Sequence, residues 1–129
     1  MIILDASVAF ELVSLTPLGL EIEARVVEES PPHAPHLLDI DVASSLRRHC
    51  ALGACSRERA REALLDLNRM PLIRHPHHPL LPRIWELRQN FTAYDACYLA
   101  LAEALNATLL TCDRALASAR LFQGEVEVI

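Results

Sequence analysis

The sequence predicts an α/β fold: a short, mostly parallel central sheet of four to five strands with helices on both faces, in one domain over residues 1–129. Two observations carry that expectation. Short apolar runs such as Ile2-Ile-Leu4 and Thr108-Leu-Leu-Thr111 alternate with stretches of helical periodicity, the pattern of strands joined by crossover helices. Four aspartates, Asp5, Asp41, Asp95 and Asp113, fall at strand ends, at a helix start or on a polar helix face. In an open α/β sheet the crevice beyond the carboxyl ends of the strands is where ligands bind.

Taken in order, Ile2–Leu4 reads as a buried strand, and Asp5-Ala-Ser7 as the turn into a helix ending near Val13, with Ser7 as its N-cap. A second helix is expected from Leu18 to Glu29, after Pro17. Ser30-Pro-Pro-His-Ala-Pro35 must be extended, because proline holds the residue before it out of the helical region; one very short strand fits at His33-Ala34. Helical spacing resumes over Leu37–Leu52 and Arg57–Asn68. Leu72-Ile-Arg-His75, between Pro71 and Pro76, fits a strand, and Leu81–Arg88 a helix. Thr92-Ala-Tyr-Asp95 is a capping-box start for a helix reaching Leu105. Thr108–Thr111 is a strand, Arg114–Arg120 a short helix and Val126–Val128 a closing strand.

A chain of 129 residues, 52% hydrophobic with 3 glycines, suits a single compact helix-rich globule. No apolar run reaches the ~20 residues of a membrane span. The N-terminus enters a strand at once, without the basic region or cleavage site of an export signal, so the expected location is cytoplasmic, with no membrane partner. Cys50, Cys55, Cys97 and Cys112 form no C-x-x-C pair, which removes support for zinc or thioredoxin-like chemistry and leaves reduced thiols as the expectation. A net charge of −5 opposes the basic footprint usual in nucleic-acid enzymes. Four of the negative charges, however, belong to the aspartates above, where bound cations would offset them. Every basic residue is Arg, which suits bidentate phosphate contacts.

Each aspartate also has a purely structural explanation. Asp5 can end a strand, Asp95 can complete the capping box with Thr92, and Asp113 can cap a short helix. Asp41 is harder to explain, since Asp is a mediocre residue inside a helix. At about 100° per residue, Asp39 and Asp41 point about 200° apart, so only one of them faces the crevice. Ser44, Ser45 and Arg48 share the side of Asp41, opposite the apolar Leu38, Val42 and Leu46, which selects Asp41 and leaves Asp39 to the helix dipole. Coincidence of all four positions points to function. Carboxylates gathered in one crevice repel one another unless a cation lies between them, and oxygen-only ligation selects a hard ion such as Mg²⁺ or Mn²⁺.

Rival chemistries find less support. Pro76 and Pro79 deny His75, His77 and His78 the helical spacing of two-histidine metal sites, so a surface turn is expected there. His33, His36 and His49 carry no spacing signal, and Trp85 and Phe91 read as core. A glycine-rich dinucleotide turn is missing after the first strand. With no lysine, a P-loop, a phosphoaspartate receiver and a dehalogenase-type phosphatase are all disfavoured, and no Gly-x-Ser-x-Gly turn supports acyl transfer.

Four blocks together resemble a PIN domain, specifically the VapC-type toxin of prokaryotic toxin–antitoxin pairs. They are Ile3-Leu-Asp5-Ala-Ser7; Pro35-x-Leu-Leu with a following acid and Leu46-Arg-Arg48; Thr92-Ala-Tyr-Asp95-Ala-x-Tyr98-Leu-Ala-Leu-Ala102; and Leu110-Thr-Cys-Asp113. The resemblance spans nearly the whole chain, and the third block is its most specific part. It implies a PIN-like fold, RNA cleavage with bound Mg²⁺ or Mn²⁺, a VapB-type antitoxin that inserts a segment into the toxin, and a homodimer. Asp5, Asp95 and Asp113 match the family's aspartates as metal ligands, and Thr111 its neighbouring hydroxyl residue. Two positions depart: Asp41 stands where the family carries Glu, and Ser44 where it carries Asn. The implied catalytic set is Asp5, Asp41, Asp95 and Asp113. Ser7, Ser44 and Thr111 would hydrogen-bond carboxylates or phosphate, and Arg114 would hold substrate phosphate. Helices at Leu18–Glu29 and Leu37–Leu52 are the implied antitoxin surface. Two rivals remain: a PIN-like protein- or RNA-binding module with an impaired site, and a metal-dependent phosphatase.

Overall fold

The computed structural model describes residues 1–28, 31–118 and 122–129. The chain runs β1 (Ile2–Leu4), α1 (Ala6–Ser14), α2 (Pro17–Val27), β2 (His33–Pro35), α3 (Leu37–Ala51), α4 (Arg57–Arg69) and β3 (Ile73–His75). A 3₁₀ turn at His78–Leu80 then leads into α5 (Leu81–Glu86), α6 (Ala93–Leu105), β4 (Thr108–Thr111), a second 3₁₀ turn at Leu116–Ser118, and β5 (Glu125–Val128). All strand pairings are parallel, in the order β3-β2-β1-β4-β5, with Ile3 opposite both His33 and Leu109.

That order creates the crevice. From β1 the chain steps one way to β2 and β3, then returns to β4 on the far side of β1. Right-handed crossovers therefore put α1–α4 on one face and α5–α6 on the other. Packing agrees: α1 contacts α2, α3 and α4, while α6 lies on β1, β2 and β4 with α5 beside it. The direction reverses between β1 and β4, so their carboxyl ends flank the switch point where open sheets bind ligands. Strands β1 and β4 are buried on both faces, with Ile3, Leu4, Leu109 and Leu110 fully enclosed, so both read as unbroken apolar runs rather than alternating ones. Against them α6 buries Ala96 through Ala102 without a break. Gly19 allows α2 to press on α1, because a Cβ there would run into the carbonyl of Glu11.

Several local expectations change. Asp5, not Ser7, is the N-cap of α1: its side chain accepts from the Val8 amide, and Ser7 sits within the first turn. Helix α2 begins at Pro17 under a Thr16 cap. Its expected end, Glu29, lies outside the described residues, as does the end of the expected Arg114–Arg120 helix; within them that segment holds only the 3₁₀ turn. Trp85 is not core but 67% exposed, with the Arg88 guanidinium over its ring at 4.5 Å. Phe91 is half-buried against the core. His75 ends β3, as the expected strand has it, and stacks on His33, so the turn begins only beyond Pro76 and leads into the 3₁₀ turn at His78. No described helix is long and apolar enough to cross a membrane.

Candidate active site

Asp5 leaves the end of β1 5% exposed, held by its amide to the carbonyl of Leu110 on β4. Its Oδ1 accepts from the Ser7 hydroxyl at 2.6 Å and the Val8 amide at 3.0 Å, and its Oδ2 from the Thr111 hydroxyl. These bonds fill three of the carboxylate's roughly four acceptor positions. Thr111 is fully buried and its oxygen also accepts the Asp113 amide at 2.9 Å. Ser7 accepts the Cys112 amide at 2.9 Å. Two hydroxyls therefore stitch the end of β1 to the end of β4 and set Asp5 and Asp113 on opposite sides of one threonine. Burial pushes the Asp5 carboxyl above its ordinary value, against the opposing pull of the Ser7, Thr111 and Val8 bonds.

Asp95 comes from the opposite face. Thr92 caps α6 by accepting the Asp95 amide at 3.2 Å, which aims the first turn of that helix, and its positive dipole end, at the crevice. Burial raises the Asp95 carboxyl above its ordinary value; the Thr92 hydroxyl opposes the rise, and the charges of Asp113 and Asp41 add to it. One turn further along α6, Tyr98 is 2% exposed and donates its phenol hydrogen to Asp41 Oδ2 at 3.1 Å. Burial, then the charges of Asp41 and Asp5, hold that phenol protonated far above its usual range.

The structure thus brings Asp5, Asp41, Asp95 and Asp113 around one crevice, with Thr111, Ser7 and Tyr98 among them. Ser44 does not join them. It is exposed and accepts from Arg48, which also bonds Ser45, so the lower half of the polar stripe on α3 closes on itself. Arg114 follows Asp113 on the exposed rim. Asp39 is engaged elsewhere: Arg74 on β3 clamps it with two bonds, at 2.8 and 3.0 Å, and reaches the Leu67 carbonyl as well. Tyr98 is the member that spacing alone overlooked, although it lies three residues beyond Asp95, on the same face of the helix.

The donor set is oxygen throughout, the chemistry that a hard divalent cation selects. Among the described residues no three His, Cys, Asp or Glu side chains close on a single point, so the carboxylates frame the crevice rather than cage it. Repulsion of the Asp95 carboxylate by Asp113 and Asp41 is the electrostatic demand that a cation would satisfy.

Comparison with known proteins agrees with this architecture. A family model described as PIN domain matches residues 2–120. The chain is 39% identical over 130 residues to the VapC ribonuclease Mb0985 of Mycobacterium bovis, a match covering 100% of this chain and 98% of that protein. It is 44% identical over 105 residues to ribonuclease VapC1 of Mycobacterium tuberculosis, covering 81% of this chain and 79% of the relative. Among solved structures, PAE2754 from Pyrobaculum aerophilum superposes with a TM-score of 0.76 over 98% of this chain and 88% of its own, at 21% identity, a likeness of fold.

Proposed function

The chain belongs to the PIN-domain family, and from that premise we propose that it is an endoribonuclease, the toxin of a VapBC-type pair, which cuts RNA phosphodiester bonds with the help of Mg²⁺ or Mn²⁺. Its similarity to VapC ribonucleases along the whole chain supports the reading. The observation that carries it is the Thr111 bridge, which holds Asp5 and Asp113 together at the sheet's switch point opposite Asp95.

Asp5 and Asp95 would hold the metal, with Asp113 at the exposed rim. The ion would activate water for in-line attack and offset charge on the leaving oxygen. Asp41, with Oδ2 held by Tyr98, keeps Oδ1 to accept the proton of an attacking water. Ser7 and Thr111 fix the Asp5 carboxylate so that it does not reorganise during the reaction. Arg114 suits a substrate phosphate. Nothing in the crevice reads base edges, so RNA shape and a single-stranded loop are the expected determinants.

Two surfaces suit protein partners. An apolar groove of 340 Å³ runs between α1–α2 and α4, past Leu12, Val26, Val27, Arg69 and Met70. The groove suits an antitoxin segment; α2, one of the two helices expected to meet it, lines the groove together with α4. Leu81 and Tyr94, 56% and 62% exposed, line one apolar groove with Leu37 and Ile84 beside the first turn of α6, and this surface suits a homodimer.

The test is co-expression with the product of the adjacent gene, size-exclusion chromatography, and RNA cleavage measured across Mg²⁺ concentrations. Cleavage that needs divalent metal and is suppressed by the neighbour supports the reading; cleavage without metal overturns it. One observation favours the alternative of a catalytically impaired binding module: Ser44 is tied to Arg48 and makes no described bond to any of the carboxylates. RNA binding without cleavage at any Mg²⁺ or Mn²⁺ concentration would select that alternative.

A further inference from the structure

Helix α3 ends in a reversal that sets two thiols against each other. Gly53 takes a left-handed conformation at φ 72°, which favours glycine. Its amide bonds the Cys50 carbonyl at 3.0 Å, and the Ala54 amide bonds the His49 carbonyl at 2.8 Å. This pair of bonds is a Schellman cap. It folds the chain back over the last turn of α3, so that Cys55, just before the Ser56 cap of α4, returns to Cys50. The two sulfurs lie 3.1 Å apart, inside ordinary van der Waals contact and only ~1 Å beyond a disulfide bond length.

Both thiols are partly exposed, whereas Cys97 is buried within α6. Cys55 lines a groove of 400 Å³ between α1, α3 and α4, open enough to admit a small oxidant. The hydrogen bond with Cys55, aided by burial, holds the Cys50 thiol above its usual range, while Arg57 pulls the other way. Cys55, which lines that groove, is therefore assigned the first attack and Cys50 the second.

We infer that Cys50 and Cys55 form a reversible disulfide clasp on the α3–α4 connection when the protein meets a hydroperoxide. The Cys55 thiolate attacks the peroxide, the O–O bond breaks, and a sulfenic acid and one water (or alcohol) result. Cys50 sulfur then attacks the Cys55 sulfur; its thiol proton leaves with the sulfenic hydroxyl as water, and the S–S bond forms. Two thiols have lost two electrons and two protons, and the peroxide has gained them. A thiol reductant reverses the step.

The clasp belongs to stability and not to the carboxylate crevice. Cys50 lies about 14 Å along α3 from Asp41 at the helical rise per residue. It pins the first turn of α4, whose last turn supplies Arg69 and forms one wall of the apolar groove. Closing so short a loop removes freedom from the unfolded chain, and the oxidised protein should melt about 5 °C higher.

The full chain, first reduced and then treated with stoichiometric hydrogen peroxide, is followed by intact mass, peptide mapping, melting and RNA cleavage. The expected result is a loss of two hydrogens, a crosslinked Cys50–Cys55 peptide, the higher melting temperature, an unchanged cleavage rate, and full reversal by dithiothreitol. Cys50→Ser and Cys55→Ser should each abolish both the mass loss and the rise in melting temperature. Oxygen uptake at these sulfurs without loss of two hydrogens, crosslinks between chains, a disulfide through Cys97 or Cys112, or an unmoved melting temperature would each overturn the inference.

Discussion

Tyr98 and Asp41 meet across the two helix layers: a phenol rooted in α6 donates to a carboxylate rooted in α3, 57 residues apart in sequence and 3.1 Å apart in space. The contact gives the short side chain at position 41 a fixed position. Aspartate reaches one methylene less far than the glutamate expected there, and a buried donor decides where its charge rests.

Replacing that donor tests the arrangement. Tyr98→Phe keeps the buried ring and removes only the hydroxyl. RNA cleavage is expected to fall by about 10- to 100-fold, the usual cost of losing a partner that orients a site carboxylate. Thermal stability should change by no more than about 1 kcal/mol, the net worth of one hydrogen bond. A melting curve and a cleavage time course on the same sample check both. Parental cleavage by Tyr98→Phe would show that Asp41 needs no positioning.

Asp95 carries a charge the metal-free protein would rather lose. Its carboxyl is raised above the ordinary value first by burial and then by Asp113 and Asp41. Between the unfolded value and this raised folded value, the folded chain binds more protons than the unfolded one. Without divalent metal, its contribution to stability therefore grows as pH falls through the raised value, and levels off below the unfolded one. Asp95→Asn should melt higher than the parent at pH 7 in chelator, should not gain from added Mn²⁺ as the parent does, and should not cleave RNA. Asp5→Ala should differ in sign. It removes the α1 cap together with the charge, and lost caps cost about 0.5–2 kcal/mol. Thermal scans with chelator and with Mn²⁺ separate the two variants.

Two aspartates two residues apart on α3 should fail in different ways. Asp39 is clamped by Arg74, which ties α3 to the edge strand β3 and to the end of α4. Asp39→Asn is expected to cost about 1 kcal/mol of stability or less, since the pair is part-exposed, and to leave cleavage near the parental rate. Asp41→Asn should do the reverse, with stability preserved and cleavage cut at least tenfold. Similar activity losses in both variants would mean that the helix, rather than the carboxylate, is what matters.

The sequence showed this division because helical geometry is local: about 200° of rotation separates positions 39 and 41 whatever surrounds them. For the same reason Asp5 and the Thr92-capped Asp95 could be placed at the ends of their elements. What escaped depends on partners distant in the chain. Ser7 looks like a cap until Asp5, which sits just outside the first turn, takes the Val8 amide and leaves Ser7 to reach Cys112. Tyr98 looks like one more apolar residue until Asp41 arrives from another helix. Trp85 has the composition of core, yet α5 is six residues long and turns only Ile84 fully inward. The ligand role of Asp5, Asp95 and Asp113, and the catalytic role of Asp41, rest on their shared crevice and on the experiments above.

His33 and His75 supply a second, independent pH dependence. Pro35 and His75 are in register on β2 and β3, so His33, two residues earlier, shares a face with His75. The rings stack at 5.1 Å and join Nδ1 to Nε2 at 2.8 Å, an arrangement that holds one proton between two nitrogens and has no place for a second. Burial, then the charge of His75 and of the N-terminus, lowers the pKa of His33 below its usual value. The unfolded chain thus takes up its proton first as pH falls. The stability contributed by neutral His33 is complete above about 6.5, the unfolded value, and is lost as pH drops from there through the folded value. Melting temperatures measured from pH 8 to pH 5 in chelator should decline more steeply for the parent than for His33→Gln, which cannot take up a proton. Because Asp5 and Asp95 are the same in both proteins, their opposite contribution cancels in the difference. Parallel curves over that range would place the histidine pair outside the balance that holds β2 and β3 together.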